Sequence, residues 1–235
     1  LIEKGTLCFF AKILRPDGAG AYVEDSARSA STRDGEAGRM ERILPGEVAW
    51  YVTGRFYAGE DKTLFDAGYF LHLQGIDAPL FSGRKGEGTA HLTFLAEPFT
   101  ATDVPNGDLM LGLDAVGEFA VYLNREPCAD FDHPRSFGHG EEIARFRRVA
   151  VVTGTTVGSG TANQPLFALN VFSARLVASR PFQLGGRTYD LRRLMPNGIT
   201  QWGTAAETST GALPGYTAVL PFVGSAIAIG GPEPR

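Results

Sequence analysis

Alternation constrains this chain more than any other feature. Glu47-Val48-Ala49-Trp50-Tyr51-Val52-Thr53, Ala90-His91-Leu92-Thr93-Phe94-Leu95-Ala96 and Glu118-Phe119-Ala120-Val121-Tyr122-Leu123-Asn124 each trade apolar for polar or small residues with a period near two. That period belongs to a strand with one face buried and the other not. No segment keeps a 3.6-residue period over ten residues, so little helix is expected. The class is all-β: an antiparallel β-barrel of eight to ten strands, with a β-sandwich as the alternative. At 235 residues the chain suits a single all-β domain, residues 1–235.

The strands expected from the pattern are Gly5–Leu14, Gly46–Tyr57, Leu64–Ile76, Gly88–Glu97, Leu109–Leu113, Gly117–Asn124, Glu142–Thr156, Leu166–Leu176, Arg187–Asp190 and Tyr216–Ile229, with a short one within Ser179–Leu184. Asn106-Gly107, Gly185-Gly186 and Asn197-Gly198 are turn signals, because these residues tolerate positive φ. Residues 15–38 are rich in Ser, Gly and charge and read as a long loop. A short helix is expected at Leu191–Met195.

Charge and motifs narrow the functions. The formal net charge is −4 and no basic stripe is present, which argues against a nucleic-acid partner. No run approaches the ~20 apolar residues of a membrane-spanning helix. Thr153–Gly160 is glycine-rich but lacks the phosphate-loop lysine, and no dinucleotide fingerprint, EF-hand or Cys-x-x-Cys occurs. No cofactor is therefore called for. With only Cys8 and Cys128, a cysteine-based zinc site is not expected, and a bond between the two stays open. The compartment stays open too.

Two strand segments hold mid-strand histidines. By simple parity Phe70, His72 and Gln74 share a face, as do His91, Thr93 and Leu95, and as do Glu118, Ala120, Tyr122 and Asn124. Two geometries follow. If the wholly apolar faces point to the core, these polar groups face water. If the mixed faces line a barrel lumen, His72, His91, Glu118 and Tyr122 form an acid–base set, since histidine titrates near neutrality and a buried Glu can be raised into that range. The outer wall would then be apolar and call for a covering subunit, which leaves a homo-oligomer open. Asn124, Phe70, Phe94 and Trp202 are the matching ligand-binding candidates, Trp202 as a cap on the barrel mouth.

The inferred architecture resembles that of calycin and allene-oxide-cyclase or dirigent-type barrels. No residue transfers from that resemblance. It implies binding of a small, largely apolar or aromatic molecule, and a cofactor-free cyclase, isomerase or lyase among the activities. Two other readings stand beside it. A non-catalytic sandwich would bind a glycan or protein partner through its loops. A metal-dependent enzyme would centre on the 130–142 loop, where His133 and His139 accompany Asp130, Asp132, Glu141 and Glu142.

Overall fold

In the computed structural model of the protein, residues 41–61, 63–99, 102–106, 109–113, 117–156, 166–206, 209–211 and 213–231 are described, with 102–106, 109–113, 150–156 and 166–170 as backbone alone. Contacts divide the chain into Leu1–Gly38 and Arg39–Arg235, and the fold below belongs to the second part. The expected strand at Gly5–Leu14, the loop at 15–38 and Cys8 lie outside the described residues.

Twelve strands are present among the described residues. β1 (Val48–Gly59), β2 (Leu64–Leu73) and β3 (Leu92–Ala96) lead to a hairpin of β4 (Thr102–Asn106) and β5 (Leu109–Leu113). β6 (Glu118–Leu123), β7 (Glu141–Thr156) and β8 (Leu166–Ser179) follow. A small hairpin of β9 (Phe182–Leu184) and β10 (Arg187–Tyr189) and a helix, α1 (Leu191–Leu194), precede β11 (Ile199–Ala205) and β12 (Tyr216–Ala228). The main sheet runs β4-β5-β7-β6-β3-β2-β1-β12-β11-β8, and β8 also pairs with β7. That last pairing closes β1, β2, β3, β6, β7, β8, β11 and β12 into an eight-stranded antiparallel barrel and excludes the open sandwich. Apart from the two inserted hairpins, every barrel strand pairs with its neighbour in sequence, the up-and-down arrangement.

The sixteen-residue β7 serves two neighbours along one edge. Its first half pairs with β6 and Val152–Thr156 pairs with β5. Gly185 and Gly186 turn β9 into β10 at φ +57° and +77°, as a two-residue hairpin turn requires. Asp190 caps α1 by accepting from the Arg192 backbone N–H at 2.9 Å. Leu191, Leu194 and Met195 are buried at the end of the barrel where β2 finishes, with Leu194 against Gly75.

The predominantly apolar faces point inward. Cross-strand pairs Trp50↔Ala226, Gly68↔Phe94, Phe94↔Val121 and Phe119↔Phe146 lie on the inner face, and all seven of their members except the glycine are buried hydrophobics. The rings interlock edge to face: Trp50 stands 5.4 Å from Phe70 and 5.6 Å from Phe146, and Phe70 stands 5.8 Å from Phe94. Such geometry adds about 0.5–1.5 kcal/mol per pair beyond area burial.

A second, smaller core lies outside the barrel. Residues 125–140 strap across the outer faces of β1, β2 and β3. Tyr57 donates its hydroxyl to the Phe131 carbonyl at 2.8 Å, and Thr93 donates to the Phe137 carbonyl at 2.6 Å. Phe131 packs on Phe137 and Tyr69, while Tyr57 stacks on Phe65 at 4.9 Å. Burial pushes the Tyr57 phenol well above its ordinary range, so it stays a donor at any physiological pH. No helix among the described residues is long and apolar enough to cross a membrane.

Candidate functional site

The inner wall carries three polar residues that sequence reading did not single out. Asp66 on β2 and Arg148 on β7 meet across the lumen, Arg148 Nη2 donating to Asp66 Oδ1 at 2.6 Å. The Arg148 side chain is 4% exposed and that of Asp66 12%. The Arg148 guanidinium lies over the rings of Phe99, Phe119 and Phe172, at 5.1, 5.6 and 5.0 Å. Its second terminal nitrogen, Nη1, is buried and has no hydrogen-bond partner among the described residues. Further along the lumen, Trp50 Nε1–H donates to Gln201 Oε1 at 2.9 Å.

Between these groups lies a void lined by Trp50, Phe70, Phe94, Phe119 and Phe172, with Asp66 and Gln201 as its polar members. Its volume is about 10 Å³. That is room for about one water molecule. The two ligand-binding candidates Phe70 and Phe94 therefore do line the lumen, in a wall whose rings are close-packed.

The four proton-transfer candidates lie elsewhere. A β-bulge decides the case of His72. Tyr51 pairs with His72 but Val52 pairs with Phe70, which leaves Leu71 as an extra residue. The bulge reverses the parity beyond it, so Phe70 and Leu73 both face inward and His72 faces out. There it is exposed, beside Tyr51 and 3.3 Å from Gln74 Oε1. His91 is half-buried on the outer face, with Nδ1 2.8 Å from the Asn124 carbonyl oxygen. A carbonyl only accepts, so Nδ1 carries the hydrogen.

Glu118 also faces outward and accepts from Arg147 Nε at 2.8 Å, within a network in which Arg145 meets Glu97, Glu118 and Glu142. Tyr122 is half-buried on that same wall. Its phenol is raised by burial and then by the Glu142 carboxylate, which keeps it protonated. The outer wall thus holds these four as separate groups, each with its own neighbours. Trp202 is not a mouth cap. It sits in β11, pairs with Val171 and Ser225, and points outward at 41% exposure.

Asn124 belongs to a different feature, a groove of about 260 Å³ where β6 leaves the barrel and β7 enters it. Arg125, Glu126, Cys128, His139 and Glu141 line it as well. Gly140 is needed there, since a Cβ would stand 2.5 Å from the Leu123 carbonyl oxygen. Cys128 is exposed and free. His133 lies apart from His139 and pairs with Asp130 at 2.9 Å. Among the described residues no three His, Cys, Asp or Glu side chains stand together as metal ligands, so the expected centre on His133 and His139 does not assemble.

Sequence could have found Asp66 and Arg148. Each is a charge placed at an inward position of an otherwise apolar face, Phe70–Gly68–Asp66 on β2 and Phe146–Arg148 on β7. Comparison of the chain with family models, with curated proteins and with solved structures finds no match.

Proposed function

We propose that the barrel binds a small, largely apolar or aromatic molecule carrying one hydrogen-bond acceptor, in the lumen beside Arg148 and Asp66. The observation that carries this reading is the buried Arg148 Nη1, which lacks a partner among the described residues. An unsatisfied buried donor costs about 1–3 kcal/mol. A buried ion pair is itself weak support for stability compared with an apolar pair of similar volume. Placing both within an aromatic wall is poor design for a core. It matches a ligand site, where a few placed polar groups fix a molecule among apolar side chains.

The ligand's acceptor would take the Nη1 hydrogen, and its rings would replace contacts among Phe99, Phe119 and Phe172. The resting void has room for about one water, so entry requires these rings to move. In a cofactor-free cyclisation or isomerisation, Arg148 would stabilise a developing oxyanion and Asp66 would exchange the proton, the roles that the outer-wall His72, His91, Glu118 and Tyr122 are placed too far from the lumen to take.

Nile red, an apolar dye with a carbonyl acceptor, tests the reading. Saturable, one-site fluorescence enhancement is expected, weakened at least fivefold in Arg148→Met and strengthened in Phe119→Ala, which opens space. No saturable enhancement in the wild type and in Phe119→Ala would overturn it.

A further inference from the structure

Independently of the lumen, we infer that the bare outer wall over β1, β12, β11 and β8 is the interface through which two copies of this chain form a two-fold dimer. Strand register places its side chains. His72, Tyr51, Ser225, Trp202 and Val171 are successive cross-strand partners and form one row across five strands. Thr53, Val223 and Thr204 form the next row, two residues along. Tyr51, Val171, Trp202 and Val223 are between 38% and 58% exposed, and they are half of the eight large hydrophobic side chains exposed among the described residues. Neither β11 nor β12 contains an Asp, Glu, Lys or Arg. Hydroxyls on this wall are turned onto the sheet itself. Thr53 Oγ1 donates to the Phe222 carbonyl at 2.9 Å, and Ser173 and Thr200 share a hydrogen bond at 2.8 Å. What these residues leave outward is mostly methyl and ring surface.

Other parts of the outer wall are finished differently. The strap covers one part over β1–β3, and β6 and β7 carry the ion pairs of Glu118 with Arg145 and Arg147. Charge returns at the rim of the bare wall, with Arg55 on β1 and Arg175 on β8. A core depleted of charge and holding aromatic residues, inside a polar rim, is the anatomy of a protein interface. The missing charge also selects the occupant. A two-fold contact lays a patch on itself, so a charged patch would repel its own copy, and each chain carries a formal −4. This wall sets no like charges against a second copy, and it gives a nucleic acid or a charged peptide nothing to pair with. Its size fits as well. Five strands at about 4.8 Å and about six residues at about 3.4 Å outline roughly 500 Å². Two such faces together reach the about 1,000 Å² that a specific interface needs. Tyr51 and Trp202 stand on either side of the small Ser225, which puts two ring anchors near the centre, where binding energy concentrates.

Sedimentation velocity of the full chain, in a dilution series from about 100 μM downward, forms the test. The expected result is a monomer–dimer equilibrium that saturates at twice the chain mass of 25.2 kDa. Val223→Lys and Trp202→Lys, both at exposed positions, are expected to raise the dissociation constant at least tenfold. Val177→Lys, the same change on an exposed valine of β8 beyond Arg175, is expected to leave it unchanged. Tryptophan emission gives a second readout, because Trp50 is buried and Trp202 is not. Dilution through the dissociation constant is expected to red-shift the emission of the wild type and not that of Trp202→Lys. A chain that stays monomeric throughout would overturn the proposal and leave the wall to another occupant. Association that Val223→Lys and Trp202→Lys leave intact, or that grows past the dimer without saturating, would overturn it too.

Discussion

Removing the Asp66 carboxylate while Arg148 remains leaves an uncompensated guanidinium in an aromatic lumen. Breaking a buried pair from one side costs about 3–5 kcal/mol. Asp66→Ala is expected to lose that much in urea denaturation. Asp66→Leu combined with Arg148→Met, which replaces both charges by apolar groups, is expected to recover most of the loss or to exceed the wild type. Additive single and double effects would show that the two side chains are not coupled. These two residues also mark the limit of legibility at this scale. Parity correctly put Glu118 and Tyr122 opposite Phe119 and Val121, but it misplaced His72, because the extra residue Leu71 is a pairing feature that one strand's sequence does not encode. Trp202 was harder still. It is an exposed indole on an outer wall, and although Asn197-Gly198 marks a turn just before it, the polar alternation is too weak to announce the strand beneath it.

At the scale of the element, the alternating strands were legible because burial on one face imposes the pattern directly, and β5 was delimited to the residue. Two strands were not. β4 contains Pro105, which argues against a ladder strand, and β11 contains Gly203 amid Thr and Gln. Their pairing comes from neighbours rather than from their own propensity. Gly68 shows how tightly β1 and β2 approach, since a Cβ there would stand 2.2 Å from the Thr53 carbonyl oxygen and 2.6 Å from the Gly54 Cα. Both are backbone atoms that cannot step aside. Gly68→Ala is expected to cost at least about 1–3 kcal/mol, read as a lowered urea midpoint.

The strap over β1–β3 has its own pH dependence. The His133 side chain first, and the Asp132 backbone N–H second, hold the Asp130 carboxyl below the usual carboxylate range. A depressed folded value means that this contribution is complete above the ordinary carboxylate range and is lost as pH falls through the lower folded value. The group is exposed and screened, so the effect on stability is small. It is best read locally. The Asp130 carboxyl carbon is expected to titrate below the normal range in NMR, and His133→Ala to move it back up. An unchanged titration would show that the His133 hydrogen bond is absent in solution.

Over the whole molecule, up-and-down order explains why the barrel was legible from short-range pattern alone. Each barrel strand pairs with the next in the barrel, so local alternation and turns determine most of the topology. The barrel expected from sequence is present, but pattern alone left a sandwich beside it, because a polar face outside a sandwich and one outside a barrel read alike. The joins β7–β8 and β12–β1 differ in kind. The first links sequence neighbours, and the second brings Trp50 beside Ala226, a pairing that no local signal specifies.

Closure also has a consequence for the life of the protein in a crowded solution. A growing fibre recruits chains through unpaired backbone groups along a strand edge, and a closed ring offers none. In the main sheet the free edge belongs to β4, and there Pro105 lacks the N–H that an incoming strand would need. Pro105→Val is accordingly expected to raise light scattering on prolonged incubation while leaving the urea midpoint nearly unchanged. Equal scattering by the two chains would mean that β4 is shielded in another way. The proline that makes β4 hard to read as a strand thus also serves the chain, by making the open edge of the main sheet a poor template for self-assembly.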